Sequence, residues 1–156
     1  MEVTFEKNGM VLVDEARITY KNFSGKGDKF NREGDRKFAL ILTSQEVADA
    51  FIEQGYNVKI KAPRDVDDIP FMYLEVKVKF NSRGPVAYLK SGHNVRMLDE
   101  ETIGMLDNIA IDSVDMDIRP YDWEANGKTG RAAYLQSIHV TQKVFDRFAD
   151  RYNDAM

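Results

Sequence analysis

Apolar and polar residues alternate with a period of two through most of this chain, the signature of half-buried strands. The clearest case is 71–80, FMYLEVKVKF, where Met72, Leu74, Val76, Val78 and Phe80 share one face and Phe71, Tyr73, Glu75, Lys77 and Lys79 the other. Residues 16–23 alternate too, which points Ile18 and Tyr20 at the core and Arg17, Thr19, Lys21 and Phe23 outward. Residues 36–42, RKFALIL, finish apolar on both faces, as a central strand does. In 56–61, Val58 and Ile60 are expected inward and Lys59 and Lys61 outward. A short strand at 86–90 is expected to pair with 71–80 across the turn at 81–85. In 108–120 the parity shifts from Ile109 and Ile111 to Val114, Met116 and Ile118, which predicts a β-bulge near Asp112 and Ser113. The last strand, 131–141, follows an Asn126-Gly127 hairpin signal.

Helical periodicity is confined to short stretches. Thr43 and Glu46 form a capping-box pattern, Val47 with Phe51 and Ala48 with Ile52 recur at i, i+4, and Gly55 supplies a stop. Asp99 is expected to cap a second short helix whose first turn holds Glu100 and Glu101, and 144–152 fits a closing helix. No repeat or linker divides the chain. The expectation is a single domain over 1–156, mainly β with one or two short helices: an OB-like Greek-key five-stranded barrel with extra hairpin elements.

Composition narrows the chemistry. The 156 residues contain no cysteine, which excludes disulfides and thiolate metal sites and suits a reducing cytoplasm. His93 and His139 are too few for a structural zinc site, and no apolar run approaches the roughly 20 residues of a membrane span. The first ten residues lack the apolar core of a signal peptide, so a cytoplasmic location is expected. Net charge is −4, yet it is segregated: 17–38 holds seven bases against three acids, and 98–122 holds eight acids against one Arg. Two oppositely charged faces follow.

Three constellations combine basic and aromatic side chains, the mixture that neutralises phosphates and stacks on bases. The first spans the end of the first strand, the glycine-rich loop 24–35 and the next strand, with Arg17, Lys21, Phe23, Lys26, Lys29, Phe30, Arg32 and Arg36. Its glycines suit a mobile loop, but the spacing is not that of a P-loop. The second is the hairpin 121–134, with Tyr121, Trp123 and Tyr134 around Lys128 and Arg131. The third is the outer stripe of Tyr73, Lys77 and Lys79, joined by Lys59, Lys61 and Arg64. Each has a plainer alternative: a solvated loop, a Trp lid on the barrel end, a solvated sheet face. The acids Asp107, Asp112, Asp115, Asp117 and Asp122 could hold Mg²⁺ for phosphoryl chemistry, though solvated charge is the simpler reading. No nucleophile elbow, metal-binding His pair or cysteine nucleophile is present, so neither catalysis nor a cofactor is expected.

The stretches ITYKNFSGKGDKFNREGDRKFAL, YNVKIKAPRDVDD and RPYDWEANGKTGRAAYL resemble a family of phage- and prophage-encoded single-stranded DNA-binding proteins with an OB fold, over about residues 16–140. The resemblance implies a non-enzymatic protein that coats ssDNA with little sequence preference during phage DNA replication or recombination. It adds weight to Phe23, Lys29, Phe30, Arg32, Arg36, Tyr121, Trp123, Lys128 and Arg131. Proteins of this functional class often end in an acidic tail that recruits partners, whereas 142–156 carries three acids and three bases. The acids of 98–122 are the alternative recruiting surface. Single-stranded DNA is the expected partner, with replication or recombination proteins and a homo-oligomer as further candidates. The competing readings are a metal-dependent nuclease using Asp112, Asp115 and Asp117, and a phage structural or protein-interaction module.

Overall fold

The computed structural model describes residues 1–61 and 71–144; Arg64 and, past Val144, the closing helix expected at 144–152 lie outside the described residues. The strands are β1 (Glu2–Phe5), β2 (Val11–Asp14), β3 (Ile18–Asn22), β4 (Arg36–Ile41), β5 (Lys59–Lys61), β6 (Phe71–Val78), β7 (Val86–Ser91), β8 (Asn94–Leu98), β9 (Ile111–Ala125) and β10 (Lys128–Gln142). A helix, α1 (Gln45–Glu53), follows β4, and a 3-10 turn, Ile103–Asn108, precedes β9.

The strands form one sheet in the order β1-β2-β9-β10-β6-β4-β3, with β5 added to β6 and the β7–β8 hairpin added to β10. Its two distant members are consecutive in sequence: β2 pairs with β9, β3 pairs with β4, and only Glu15, Ala16 and Arg17 lie between them. One bent run thus edges both ends of β9-β10-β6-β4. The five strand positions curl round a common core, and β6 and β10 run parallel, an OB-like arrangement. The bend is made at Glu15, in the left-handed region with φ 54°, and is pinned by the Ala16 amide donating to the Val114 carbonyl at 2.7 Å.

The core gathers the inward faces of these strands, Val13, Leu40, Val76, Ile118 and Ile138 among them. Helix α1 closes one end by burying Ala48 and Phe51, the latter edge-on to Phe5 at 5.2 Å. Its cap is Ser44, whose hydroxyl accepts from the Val47 amide, one residue later than the Thr43–Glu46 box predicts. Gly55, at φ 94°, ends it as expected. Ile52 is exposed because the buried stripe is only as wide as Ala48 and Phe51.

Where alternation fails, a register shift is the cause. Ile18 faces Leu40 and Thr19 faces Ala39, but Asn22 faces Lys37, so β3 holds one residue more than β4 across this interval. The extra residue is accommodated at Tyr20, with φ 50°. Parity inverts there: Tyr20, expected inward, is 52% exposed, and Phe23, expected to reach a ligand, is fully buried and stacked on Phe38 at 5.2 Å. Phe23 is therefore a core residue, not a base-stacking one. The predicted bulge near Asp112 is present, since Thr141 faces Ser113 and Gln142 faces Ile111. Two further expectations fail. Strand β7 pairs with β10 and β8 rather than β6, because β10 takes that edge of β6 at Val76 and Lys77. Ile60 is 66% exposed, because β5 is an edge strand lying past the core.

Strands β9 and β10 run to the Asn126-Gly127 turn, where both residues have positive φ, and form a hairpin with 15 residues per strand. Arg131 ties its base to the helix end. It donates to both Asp122 carboxylate oxygens, at 2.7 and 3.2 Å, and to the Gln54 carbonyl at 2.8 Å, while lying over the Tyr56 ring. Hydrogen bonding from Arg131 holds the Asp122 carboxyl below its ordinary range, and burial pushes the Tyr56 phenol up.

Two outcomes follow from this packing. Phe23→Ala should lower stability by about 3–5 kcal/mol in urea unfolding, since it empties a fully packed site, whereas Phe30→Ala should change it by less than about 0.5 kcal/mol. Because Asp122 has a depressed folded pKa, its contribution is present above the ordinary carboxylate pKa of about 4 and lost as pH falls through the lower folded value. Urea midpoints measured from pH 7 to pH 2 should fall less steeply below about pH 4 in Asp122→Asn than in the wild type.

Candidate nucleic-acid interface

The outward face of the barrel is organised in cross-strand rows. One row runs Arg119, Tyr134, Lys77, Lys37, Asn22 over β9, β10, β6, β4 and β3, each residue directly opposite the next. A parallel row runs Lys59, Tyr73, Ile41 over β5, β6 and β4. Glu75 lies between them on β6, its Oε2 3.2 Å from the Lys59 ammonium and 3.9 Å from that of Lys37. The registers set Tyr73 opposite Lys59 and Lys77 opposite Lys37, with Lys61 opposite Phe71; Lys79, past the end of β6, lines the same cleft as Lys77.

Aromatic rings stand at both ends of this face. At one end Tyr20 meets Tyr73 and Phe71 edge-on at 5.8 and 6.2 Å, and Phe71 stacks on Tyr73 at 5.5 Å. Lys61 lies over the Tyr20 ring and donates to its hydroxyl at 3.1 Å. A bulky residue in the left-handed region is strained; here those contacts hold it. At the other end Tyr121 meets Tyr134 edge-on at 5.4 Å, and the Arg119 guanidinium covers Tyr134. Trp123 lies across its cross-strand partner Gly130, where a Cβ would overlap the indole. That Gly lets the ring lie flat with 42% of the residue exposed.

The loop between β3 and β4 is braced rather than slack. Asn31 Nδ2 donates to the carbonyls of Lys26, Arg32 and Asp35, and Asn22 bonds both the amide and the carbonyl of Lys26. The Gly34 amide donates to the Gly25 carbonyl at 2.8 Å, closing the neck with both glycines at positive φ. The Asp28 carboxylate accepts from the Phe30 amide, setting up the turn that turns the Phe30 ring outward. Phe30 is 86% exposed, an uncompensated apolar surface on a soluble loop. Lys26, Lys29 and Arg32 surround it, exposed and without an ion-pair partner among the described residues.

Three open clefts join these parts. The first, by Tyr20, Lys26 and Phe30, shares Asn31 and Lys37 with the second, which reaches Glu75, Lys77 and Tyr134. The third shares Glu75 and Lys77 and reaches Lys59, Trp123, Gly130 and Arg131. Shared walls make them a trough from the loop, across β4 and β6, to the hairpin. An open trough suits an extended polymer better than an enclosed small molecule.

Several expected contacts are otherwise engaged. Lys21 donates to the carbonyls of Leu106 and Ile109, satisfying the end of the 3-10 turn. Arg36 donates to the Phe23 and Glu100 carbonyls and covers Phe80. Arg131 is held in its clamp. These three build the trough's walls. Arg17, Lys79 and Lys128 are exposed; Lys79 lines the trough, and Lys128 opens β10 beside the turn. The acids do not converge. Asp107 accepts from the Phe23 and Ser24 amides, Asp115 from the Glu15 amide, Asp117 from the Ser137 hydroxyl, and Asp122 pairs with Arg131. Among the described residues no three metal-binding side chains gather, and the proposed Asp112, Asp115 and Asp117 set has no such geometry.

Sequence reasoning left Tyr20, Lys37, Phe71 and Arg119 out of the candidate site, and placed Tyr134 with the hairpin but not with the sheet face. Lys37 and Phe71 were readable, standing on the outer parity of strands already assigned. Tyr20 was hidden by the bulge, and Arg119 and the row it makes with Tyr134 by a strand pairing that alternation alone does not reveal.

Comparison with known proteins bears on the family and the fold. The model of the putative phage ssDNA-binding domain matches residues 2–155. The fold is similar to that of the single-stranded DNA-binding protein from bacteriophage Enc34, with a TM-score of 0.55 at 18% identity over 96% of this chain and 93% of that one. It is also similar to that protein in complex with ssDNA, with a TM-score of 0.53 at 17% identity over 93% of each chain. No curated protein matches in sequence. With the family model covering all but the ends of the chain, this protein belongs to the phage ssDNA-binding domain family.

Proposed function

We propose that the chain binds single-stranded DNA along the trough, largely independently of base sequence, and serves phage DNA replication or recombination in the host cytoplasm as a binding protein rather than an enzyme. The observation that carries this reading is the alignment of stacking rings and cations along one continuous surface, with exposed Phe30 on one rim and Trp123 on the other. Family membership supports the ligand, and the strand face between two loops is the part of an OB fold that holds oligonucleotides.

The chemistry is division of labour. Lys26, Lys29 and Arg32 on the loop, Lys37, Lys77 and Lys79 on the face and Lys128 on the hairpin neutralise phosphates. Phe30, Tyr20, Tyr73, Tyr121 and Trp123 offer ring faces or edges to bases. Every base has a π-face, so stacking is indifferent to sequence. With a net charge of −4 the chain as a whole does not attract phosphate, so binding rests on these local cations.

Titration with oligo-dT, followed by Trp123 fluorescence, should show affinity falling by about 0.7 log units per log unit of salt for each phosphate neutralised. Absence of binding, or binding insensitive to salt, would overturn the reading. Phe30→Ala and Tyr20→Ala should each weaken binding by about 1–3 kcal/mol, while Lys21→Ala should act mainly on stability. Wild-type affinity in both ring variants would remove stacking from the mechanism.

A further inference from the structure

We infer that Glu75 is a built-in competitor for phosphate, which lowers the affinity of the trough and limits its dependence on salt. The inference rests on the proposed ssDNA trough and adds a residue that restrains binding there. Glu75 is the one acid on the outward faces of β4, β5 and β6 among the described residues, surrounded there by Lys37, Lys59, Lys77 and Tyr73. It stands where two clefts meet, in the middle of the path, not on a rim. A single oxygen, Oε2, faces the ammonium groups of both Lys59 and Lys37, which belong to strands on opposite sides of β6. An anionic oxygen held between two lysines is the arrangement a backbone phosphate would make.

A DNA strand crossing this point meets lysines that already have a counterion. To use them, a phosphate must displace the carboxylate or share the lysines with it, and the carboxylate repels the phosphate in either case. With its side chain 28% exposed, Glu75 stays hydrated enough for this exchange to cost little reorganisation. The consequence is a strand held less tightly than the cation count implies and more readily released, for example to a processing enzyme. Other acids line the trough, Asp28 and Asp107 in the first cleft and Asp35 and Glu100 in the second, but among the described residues only Glu75 pairs with two lysines; Glu100 sits on Arg36, and Asp122 is committed to Arg131.

The test compares wild type, Glu75→Gln and Glu75→Asp in oligo-dT titrations between about 0.05 and 0.5 M salt. One further phosphate neutralised steepens the salt slope by about 0.7, so Glu75→Gln should bind about fivefold more tightly at 0.1 M salt, the gain shrinking toward 1 M. Glu75→Asp, which keeps the charge, should stay within about twofold of the wild type. Unchanged or weaker binding by a Glu75→Gln protein with wild-type urea unfolding would overturn the inference, and would mean that Glu75 positions the lysines for DNA. Equal gains in both variants would overturn it too, by tracing the effect to shape. Failure of the wild type itself to bind would overturn the ssDNA reading as well, so the two failures are distinguishable.

Discussion

The kinked run of β2 and β3 is the constraint on which the rest of the structure depends. A single stretch from Val11 to Asn22 must edge β9 with its first half and β4 with its second, and no straight strand can do both. The chain turns at Glu15 and gains a residue at Tyr20, both in the left-handed region. The first bend lets the strands curl round one core. The second inverts the parity of the strand's end, driving Phe23 under the sheet onto Phe38 and lifting Tyr20 onto the outer face. Barrel closure and the aromatic floor of the trough therefore share one cause. The strain at Tyr20 is offset by Tyr73, Phe71 and Lys61, residues of the face it helps to build.

Two kinds of cation occupy the site. Arg36, Arg131 and Lys21 spend their donors on carbonyls and carboxylates of the protein, and by doing so hold the loop, the hairpin and the 3-10 turn in place. Lys26, Lys29, Arg32 and Lys77 have no such partners among the described residues and are free to meet a ligand. Guanidinium geometry suits the anchoring role, because its planar set of donors can satisfy several acceptors at once, as Arg131 does with Asp122 and Gln54, but position decides the division, since Lys21 is engaged and Arg32 is not. Lysine ammonium groups, compact and strongly hydrated, remain as point charges on a polar face. Between these groups stands Glu75, a carboxylate in the middle of a surface otherwise arranged for anions.

Much of this was legible in the pattern of residues. The half-buried character of β6, the bulge at Asp112, the Asn126-Gly127 hairpin and the stop at Gly55 each follow from a local rule that no distant contact overrides. The exposed basic loop with Phe30 was equally plain, because an apolar ring among lysines and glycines has nothing nearby to bury it. What could not be read was partnership. Strand β7 alternates whether its neighbour is β6 or β10, and the acids of 98–122 look like a cluster until Asp107, Asp115, Asp117 and Asp122 are each found on a separate amide, hydroxyl or guanidinium.

The sequence by itself determined seven of the strands, though not β1, β2 or β8, where the chain turns and that cations and rings are concentrated near residues 17–38 and 121–134, because period, glycine placement and composition are local properties. Only the tertiary structure decided that these two segments border one trough and that Phe23 belongs to the core while Tyr20 does not. It also decided that Lys37, Tyr134 and Arg119 complete a row across five strands. Register and barrel closure set those outcomes. They depend on how distant strands share hydrogen bonds around a common core, and a single extra residue in one strand exchanges the faces of everything that follows it.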